Sequence, residues 1–387
     1  MKIQISDSIR YIGVDDLDLD LFESQYVVPE GMSYNSYLIL DEKVAIMDTA
    51  DARKGDEWHA RLEEELQGRT PDYLVSHHME PDHAALIARV AAEFPTLKII
   101  LSAQAQKMLG QFFDADLTGR TMVVKEGDTL CLGRHTLSFI AAPMVHWPEV
   151  LMSYEATEKV LFAADGFGKF GALQNETDDW ACEARRYYFN ICGKYGVQVQ
   201  NVLRKAATLD IRTICPLHGP VLSGDLTPYL KLYDTWSRYE PETDGVFVAY
   251  ASIHGGTAQA ALRLADMLRQ KGIKVATSDL TRDDQAEAIE DAFRYPRLVV
   301  CASSYDAGVF PPMHDFLYHL QIKNYQRRRV GIVENGSWAP SAGKTMRAML
   351  EQMKDITVVE PVVTLRSRMK EADVATLQTL ADAMLAE

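Results

Sequence analysis

The chain has 387 residues, an apolar fraction of 47% and a formal net charge of −15. This length allows two or three domains, each with its own core. The acidic balance argues against a nucleic-acid partner, because neutralising phosphates requires clustered Lys and Arg. The one dense basic run, KNYQRRR at 323–329, is interpreted as a solvated edge, with a docking patch as the alternative.

The five cysteines lie far apart without a C-x-x-C pair, so neither a disulfide framework nor a cysteine-only metal site is indicated. No apolar run approaches the ~20 residues of a membrane span. The first twenty residues carry acids where a signal peptide needs an apolar stretch. We therefore expect a soluble, cytoplasmic chain with no membrane or nucleic-acid partner.

Up to about residue 225, short β-type runs alternate with turns. SYLIL and VAIMD predict a hairpin at 36–48, and HTLSFIAA, VLMSYEA and KVLFAAD predict further strands. Helices are predicted at DEWHARLEEELQ, DHAALIARVAAEF and DWACEARRYYFNICGKY, where apolar residues recur at three- and four-residue spacing. This region is therefore predicted to be α/β with much antiparallel sheet.

After the polar stretch SRYEPETDG, the pattern changes to regular strand, loop and helix units. GVFVAY, KVATSDL, RLVVCAS and RVGIVEN predict strands, and each is followed by a helical pattern. Such alternation predicts a parallel, doubly wound sheet. We place the boundary near residue 243, which gives domains 1–242 and 243–387.

Candidate metal ligands follow four predicted strands of the first region. Because strand ends on one rim of a sheet can converge, these side chains are expected to meet. A lone histidine at a strand end is more often a structural residue, but the shared position of the whole set favours a metal site. The set is His78, Glu80, Asp82, His83, His146, Asp165 and His218.

Spacing within SHHMEPDH favours two ions rather than one. In an extended loop, residues two apart point the same way, so His78 and Glu80 can hold one ion while Asp82 and His83 turn to a second. Asp165 is then the candidate bridge, with one oxygen on each ion, at the ~3.5–4 Å ion separation usual for two-metal sites. His77 is expected to point away from the metals.

A phosphate-binding loop is indicated after the first strand of the second region. In VFVAYASIHGGTAQAAL, a strand, a glycine- and hydroxyl-rich loop and a helix start follow one another, and a helix amino terminus can bind phosphate. Many such loops bind nothing, so this signal is weak alone. Two later loops, SSYDAG at 303–308 and ENGSW at 334–338, follow strands at the same rim, where open α/β sheets bind ligands.

These features together resemble the flavodiiron proteins. H-x-[HE]-x-D-H followed by distant His, Asp and His is the signature of the metallo-β-lactamase fold, and the glutamate version HMEPDH with a flavodoxin-like domain resembles that family. SYNSYLI, VHWPEV and ADGFG extend the resemblance over nearly the whole chain. The implied fold class is α/β: a metallo-β-lactamase-like αββα sandwich, then a flavodoxin-like doubly wound parallel sheet.

The resemblance also assigns the metal ligands. It implies that His78, Glu80 and His146 bind the iron nearer the flavin, that Asp82, His83 and His218 bind the other, and that Asp165 binds both. The gap between Asp165 and His218, 52 intervening residues, is shorter than the family pattern, and we interpret it as a trimmed loop. Tyr26, Trp147 and Tyr188 are implied to surround the site.

The three flavin loops of flavodoxins supply the expected FMN contacts. The phosphate contacts come from the first loop and the contacts flanking the ring from the other two; Trp338 is a stacking candidate, with simple packing as the alternative. The predicted residues are Ser252, Ile253, His254, Gly255, Gly256, Thr257, Ser304, Tyr305, Asp306, Ala307, Gly308, Asn335, Gly336, Ser337 and Trp338.

Electron counting connects the two regions. Reducing dioxygen to two waters takes four electrons, and reducing two nitric oxide molecules to nitrous oxide takes two; FMN and two iron ions can store them. The resemblance implies either gas as substrate, protection against oxygen or nitrosative stress, an external donor such as rubredoxin, and a head-to-tail homodimer or homotetramer. The alternatives are a dizinc hydrolase of metallo-β-lactamase fold with a flavodoxin-like appendage, and an electron carrier without metal.

Overall fold

The computed structural model describes residue 3, residues 5–176 and residues 179–386. The chain forms two compact units. The first contains the chain up to Tyr188 together with Val197–Asp234, and the second contains Phe189–Gly196 and the chain from Thr235 onward. Within the described ranges, no helix is both long and apolar enough to cross a membrane. The division into domains 1–242 and 243–387 stays a proposal.

The first unit begins with a six-stranded mixed sheet, ordered β1-β6-β7-β8-β9-β10. The predicted hairpin is β6 and β7, which pair antiparallel, whereas β7, β8, β9 and β10 run parallel. The strands of this half are β1 (Ile9–Tyr11), β2 (Val14–Asp16), β3 (Leu21–Phe22), β4 (Tyr26–Val27), β5 (Met32–Tyr34), β6 (Tyr37–Leu40), β7 (Val44–Met47), β8 (Tyr73–Val75), β9 (Lys98–Ser102) and β10 (Thr121–Val124). The helices are α1 (Gly55–Leu66), α2 (Pro81–Ala84), α3 (Ile87–Glu93) and α4 (Ala103–Phe112).

A second six-stranded sheet follows in sequence order, β11 to β16. All its neighbours pair antiparallel except β14 and β15, which are parallel and are separated along the chain by helices. The strands are β11 (Thr129–Cys131), β12 (Thr136–Ala141), β13 (Leu151–Glu155), β14 (Val160–Phe162), β15 (Thr213–Cys215) and β16 (Leu222–Ser223). The helices are α5 (Trp180–Ile191), α6 (Gly196–Ala206) and α7 (Thr227–Ser237).

The two sheets pack face to face around one apolar core. Ile39, Val75 and Ile100 of the first sheet belong to the same buried cluster as Phe139 and Phe162 of the second. Alternate strand residues point into this cluster, as the two-residue period of a strand requires. The result is a sandwich of two sheets, and each strand ends at a rim where loops can gather.

The second unit is a parallel sheet with the order β18-β17-β19-β21-β22. Its order reverses between β17 and β19, which makes a topological switch point at that rim. The strands are β17 (Val246–Ala251), β18 (Val275–Asp279), β19 (Arg297–Tyr305), β20 (Gly308–Val309), β21 (Arg329–Asn335) and β22 (Thr357–Leu365). The helices are α8 (Gly256–Gln270), α9 (Gln285–Arg294), α10 (Pro311–Ile322), α11 (Ala342–Leu350) and α12 (Glu371–Leu385).

The basic run at 323–329 is not the solvated edge that was expected. Lys323 and Arg328 are 8% and 2% exposed. Arg328 donates to the backbone oxygens of Tyr295 at 2.9 Å and Phe293 at 2.7 Å. Two of the cations in this run therefore hold loop carbonyls inside the second unit rather than face water.

Candidate functional site: a two-metal group and a flavin pocket

Four loops of the first unit deliver the seven predicted metal ligands. The loop after β8 carries four of them, and the loops after β12, β14 and β15 carry one each. Asp165 and His218 are each 1% exposed, and His78 is fully buried. Convergence of strand ends therefore brings residues that are far apart in sequence into one buried group.

His78, Glu80 and His146 form the first half of this group. The Nε2 atom of His78 lies 3.1 Å from Glu80 Oε2 and 3.3 Å from His146 Nε2, and His146 Nε2 lies 3.0 Å from Glu80 Oε2. All three atoms thus face one point.

Asp82, His83 and His218 form the second half in the same way. His83 Nε2 is 3.1 Å from His218 Nε2 and 3.3 Å from Asp82 Oδ2, and His218 Nε2 is 3.2 Å from Asp82 Oδ2. Each half therefore offers two imidazole nitrogens and one carboxylate oxygen.

Asp165 lies between the halves and divides its oxygens between them. Its Oδ2 atom is 3.3 Å from His78 Nε2 and 3.2 Å from His146 Nε2. Its Oδ1 atom is 3.4 Å from His83 Nε2 and 3.7 Å from His218 Nε2. This is the arrangement expected of a carboxylate that bridges two ions.

The spacing of these atoms fits metal ions better than a hydrogen-bonded cluster. Ligand atoms at about 2.1 Å from one ion lie about 3 Å from each other, which is close to the 3.0–3.3 Å measured within each half. Both oxygens of Asp165 and of Asp82 are buried without a well-formed hydrogen bond in the described part of the chain. Buried carboxylates of this kind need a cation.

Electrostatics within the group point the same way. Burial opposes protonation of His146, but hydrogen bonds with Asp165 and Glu80 outweigh it and raise its pKa to about 9. Burial likewise opposes ionisation of Glu80 and Asp165, yet the surrounding histidines lower the pKa of both carboxyls. The group therefore stabilises positive charge at its centre, as a cation site must.

His77 points away from the group, as expected from its neighbours. Its Nδ1 atom is 2.5 Å from Asp48 Oδ2, and its Nε2 atom is 2.8 Å from Ser153 Oγ. Both ring nitrogens are thus used in a buried structural contact. The two-residue alternation in the loop accounts for the difference between His77 and His78.

The three aromatic residues implied to surround the site occupy different positions. The Trp147 ring lies 5.1 Å from the His78 ring and 6.0 Å from the His146 ring. Tyr26 packs on Phe170 at 5.7 Å, and Tyr188 packs on Tyr233 at 5.1 Å. Their proposed roles therefore have different support, and Trp147 has the most direct contact with the predicted ligands.

Sequence reasoning missed several residues around the metal group. Glu149 Oε1 lies 2.7 Å from His78 Nδ1, and the backbone oxygen of Ser33 lies 2.7 Å from His218 Nδ1. The rings of Tyr187 and Phe22 pack against the His218 ring at 5.6 Å and 5.4 Å. Only Glu149, three residues after His146 in VHWPEV, carried a usable signal, because it is an acid close to a predicted ligand.

A cavity of about 860 Å³ lies at the carboxyl ends of the strands of the second unit. Its walls contain all the predicted FMN residues except Gly255 and Gly308. Gly255 precedes α8 with a φ of 85°, a conformation that favours glycine. A Cβ at Gly256 would collide with the Ser367 backbone oxygen, so the helix start can approach the opposite loop only with glycine there.

The cavity suits a flavin mononucleotide in its position and in its chemistry. It lies at the switch point between β17 and β19, and the free N–H groups at the start of α8 can receive a phosphate. Ile253, Tyr305 and Trp338 are 39%, 47% and 89% exposed, so apolar surface is available at its edge to cover a ring system.

Asn335 has a structural role in addition to its place in the wall. Its Nδ2 atom donates to Ser367 O at 2.6 Å and to Thr257 Oγ1 at 3.2 Å, and its Oδ1 atom accepts from Ser367 N at 3.0 Å. The Asn335 side chain therefore joins three loops of the cavity.

The sequence analysis also missed part of this wall. Ser367 and Arg368 follow β22, a fourth strand whose loop was not considered. The other missed wall residues are Ser303, Ala339, Pro340 and Ser341. The usable signal was positional, because every parallel strand of such a sheet ends at the same rim.

Comparisons with known proteins agree with both halves of the chain. The family model "ODP family beta lactamase" matches residues 32–219. A nitric oxide reductase of Moorella thermoacetica is 27% identical, with 94% of this chain and 93% of that protein covered. A coenzyme F420H2 oxidase of Methanothermobacter marburgensis is 28% identical, with 84% and 83% covered. The structure of rubredoxin oxygen:oxidoreductase from Desulfovibrio gigas matches with a TM-score of 0.91 and 26% identity over 99% of this chain and 98% of that one.

Fold and site together define a protein that joins a metallo-β-lactamase-like sandwich, with two facing sets of metal ligands, to a flavodoxin-like sheet with a flavin-sized cavity. The predicted fold class is confirmed. The chain belongs to the flavodiiron proteins, and the resemblance inferred from its motifs is confirmed. FMN and two iron ions, the predicted cofactors, are those of this family, and the described residues fit both.

Proposed function

We propose that this chain is a flavodiiron oxidoreductase that reduces dioxygen to water or nitric oxide to nitrous oxide. The observation that carries the proposal is the division of Asp165 between two matched sets of ligands, with Glu80 in one and Asp82 in the other. Relatives named nitric oxide reductase and rubredoxin oxygen:oxidoreductase support the reaction class.

Glu80 favours redox chemistry over hydrolysis. Metallo-β-lactamase-fold hydrolases usually place histidine at this position and bind zinc. A third carboxylate beside Asp82 and Asp165 supplies a hard oxygen donor and negative charge, which favour iron in its higher oxidation state. When bound, two irons and FMN would supply the electrons, while the protein holds them in buried, preorganised positions.

Replacing Glu80 tests this role directly. Glu80→Ala should abolish gas reduction and leave the flavin in place, because Glu80 belongs to the first unit and the flavin cavity to the second. Glu80→His is the matched variant, since it keeps a ligand but removes the charge, and it should shift metal preference from iron towards zinc. Unimpaired turnover in Glu80→Ala would refute the assigned role.

The oligomeric state is part of the proposal. We expect a head-to-tail dimer, or a dimer of dimers, that sets the FMN of one subunit against the iron of its partner. Each unit exposes apolar side chains near its own site: Leu21 and Val27 in the β3–β4 hairpin, and Tyr305 and Trp338 at the flavin cavity. Gel filtration that finds a fully active monomer would contradict this arrangement.

An external electron donor completes the proposed function. We propose a carrier of the rubredoxin type, because one similar structure is a rubredoxin oxygen:oxidoreductase. The relative named coenzyme F420H2 oxidase makes a reduced deazaflavin the competing donor. Stopped-flow flavin reduction with each donor separates the two: reduction by rubredoxin alone supports the proposal, and reduction by F420H2 alone contradicts it.

A further inference from the structure

The ligand histidines differ in what their outer ring nitrogens contact. His78 Nδ1 faces a carboxylate, Glu149 Oε1, at 2.7 Å. His218 Nδ1 faces a neutral backbone oxygen at 2.7 Å. His83 Nδ1 is buried without a hydrogen-bond partner in the described part of the chain. The two halves of the metal group are therefore matched in their ligands but unequal behind them.

Glu149 is held as a charged acceptor. Its side chain is fully buried, and its Oε1 atom also accepts the backbone N–H of Met79 at 2.9 Å. Burial opposes its ionisation, but the contact with His78 outweighs burial and lowers the pKa of Glu149. The proton on His78 is thus placed on Nδ1, and the Nε2 lone pair faces Glu80, His146 and Asp165.

A carboxylate behind a metal-binding histidine makes that histidine a stronger donor. The carboxylate attracts the Nδ1 proton, so electron density rises at Nε2 and passes to the ion, which stabilises the higher oxidation state. A backbone oxygen does this less, because it carries no full charge. A histidine without a partner receives no such support.

We propose that Glu149 is a positioning residue that makes the ion held by His78, Glu80 and His146 bind more tightly and oxidise more readily than the ion held by Asp82, His83 and His218. This inference rests on the proposed two-iron site. Its basis is the geometry outside the ligand rings, because each ion otherwise has two histidines, one carboxylate of its own and one oxygen of Asp165.

The chain contains a matched control for this proposal. Asp48 and His77 form another buried carboxylate–histidine pair, one residue earlier in the same loop, and His77 Nε2 points to Ser153 rather than to the metal group. Asp48→Asn removes a buried charge from such a pair without altering a ligand histidine. It therefore reports the general effect of disturbing this loop.

The test compares wild type, Glu149→Gln and Asp48→Asn as full chains loaded anaerobically with ferrous iron. Gln can still accept from His78 and Met79, so mainly the charge is lost. We expect Glu149→Gln to weaken the retention of one of the two irons against a chelator by about 10–100-fold. Its mixed-valent electron paramagnetic resonance signal should also form at a more positive potential, while Asp48→Asn should follow wild type.

Iron retention and potential in Glu149→Gln that equal those of wild type would overturn the inference, as would an equal change in Asp48→Asn. A second comparison covers the case in which Glu149→Gln does not fold. His218→Ala and His146→Ala each weaken one half, and we expect the iron that remains in His218→Ala to oxidise at the lower potential. The reverse order would overturn the inference. A wild-type chain that binds no iron would instead refute the proposed function.

Discussion

At the scale of single residues, the side-chain chemistry of a few carboxylates separates this chain from a hydrolase. Glu80, Asp82 and Asp165 place three negative charges around two expected divalent ions, which leaves about one positive charge for a bridging hydroxide to cancel. With histidine in place of Glu80, the same group would suit zinc. The motif HMEPDH made this distinction readable before the geometry was known.

Asp41 provides a prediction about stability. Burial opposes its ionisation, but hydrogen bonds from the backbone N–H and ring of His135 and from Glu42 N outweigh burial and lower the pKa of Asp41 to about 2. Since an unfolded Asp has a pKa of about 3.9, this stabilisation is complete above pH 4 and is lost as the pH falls towards 2.

Asp41→Asn should therefore lower the free energy of unfolding by about 1 kcal/mol at pH 7, because solvent at this turn reduces the full effect of the pKa shift. The difference from wild type in urea unfolding should shrink between pH 4 and pH 2. Glu42→Gln, at the exposed neighbour, is the control and should change little at any pH. A difference that grows on acidification would contradict the role assigned to Asp41.

Some residue roles could be predicted and others could not, for a physical reason. His77 and His78 were separable because side chains alternate along an extended loop. The contact between Glu149 and His78 joins residues 71 positions apart and depends on how two loops meet. Such a pairing requires tertiary structure, although an acid near a ligand was visible in the sequence.

At the scale of secondary-structure elements, the site depends on where strands end. The parallel pairs β7–β8 and β14–β15 bring successive carboxyl ends to one rim, so the ligand loops start side by side. Strand periodicity predicted this arrangement. The helix predicted at DHAALIARVAAEF is instead two, α2 and α3, with a break at residues 85–86. Local periodicity continues across that break, so it could not reveal where the hydrogen-bonding pattern is interrupted.

The loop after β22 shows a second limit of sequence patterns. Pro361 interrupts the apolar run TVVEPVVTL, and the bond before it is cis, so the segment lacks the uninterrupted signal of the other parallel strands. Its register shifts where it pairs with β21, between Gly331 and Val333. Ser367 and Arg368, which follow this strand, were therefore not considered as cavity residues.

Arg328 gives a prediction for the elements of the second unit. Its guanidinium donates to the backbone oxygens of Tyr295, Phe293 and Tyr239 at 2.7–2.9 Å, which joins the segments before β17 and β19. Lys keeps the charge but cannot reach three carbonyls that lie in different directions. Arg328→Lys should cost about 2–4 kcal/mol in the free energy of unfolding, measured by urea titration.

Arg327→Lys is the control for this prediction, because Arg327 is the exposed neighbour of Arg328. It should stay within about 0.5 kcal/mol of wild type. Equal effects of the two substitutions would show that the buried carbonyl contacts of Arg328 contribute no special stability.

At the scale of the whole molecule, the two units supply complementary parts of one proposed reaction. The sandwich offers paired sets of histidine and carboxylate ligands, and the parallel sheet offers a cavity of about 860 Å³ with a helix start at its edge. Fold class and family could be predicted because motif residues lie in regular positions at strand ends. Which gas is preferred could not, because ligands of the same type serve relatives named for oxygen and for nitric oxide.

Metal and flavin content combined with anaerobic turnover tests the central claim most directly. The purified full chain should contain about two irons and one FMN, and the reduced protein should be reoxidised rapidly by dioxygen with water as product, by nitric oxide with nitrous oxide as product, or by both. Comparing the two rates also identifies the preferred substrate. Two zinc ions with hydrolytic activity, or a flavin-containing chain that reacts with neither gas when its irons are present, would contradict the account.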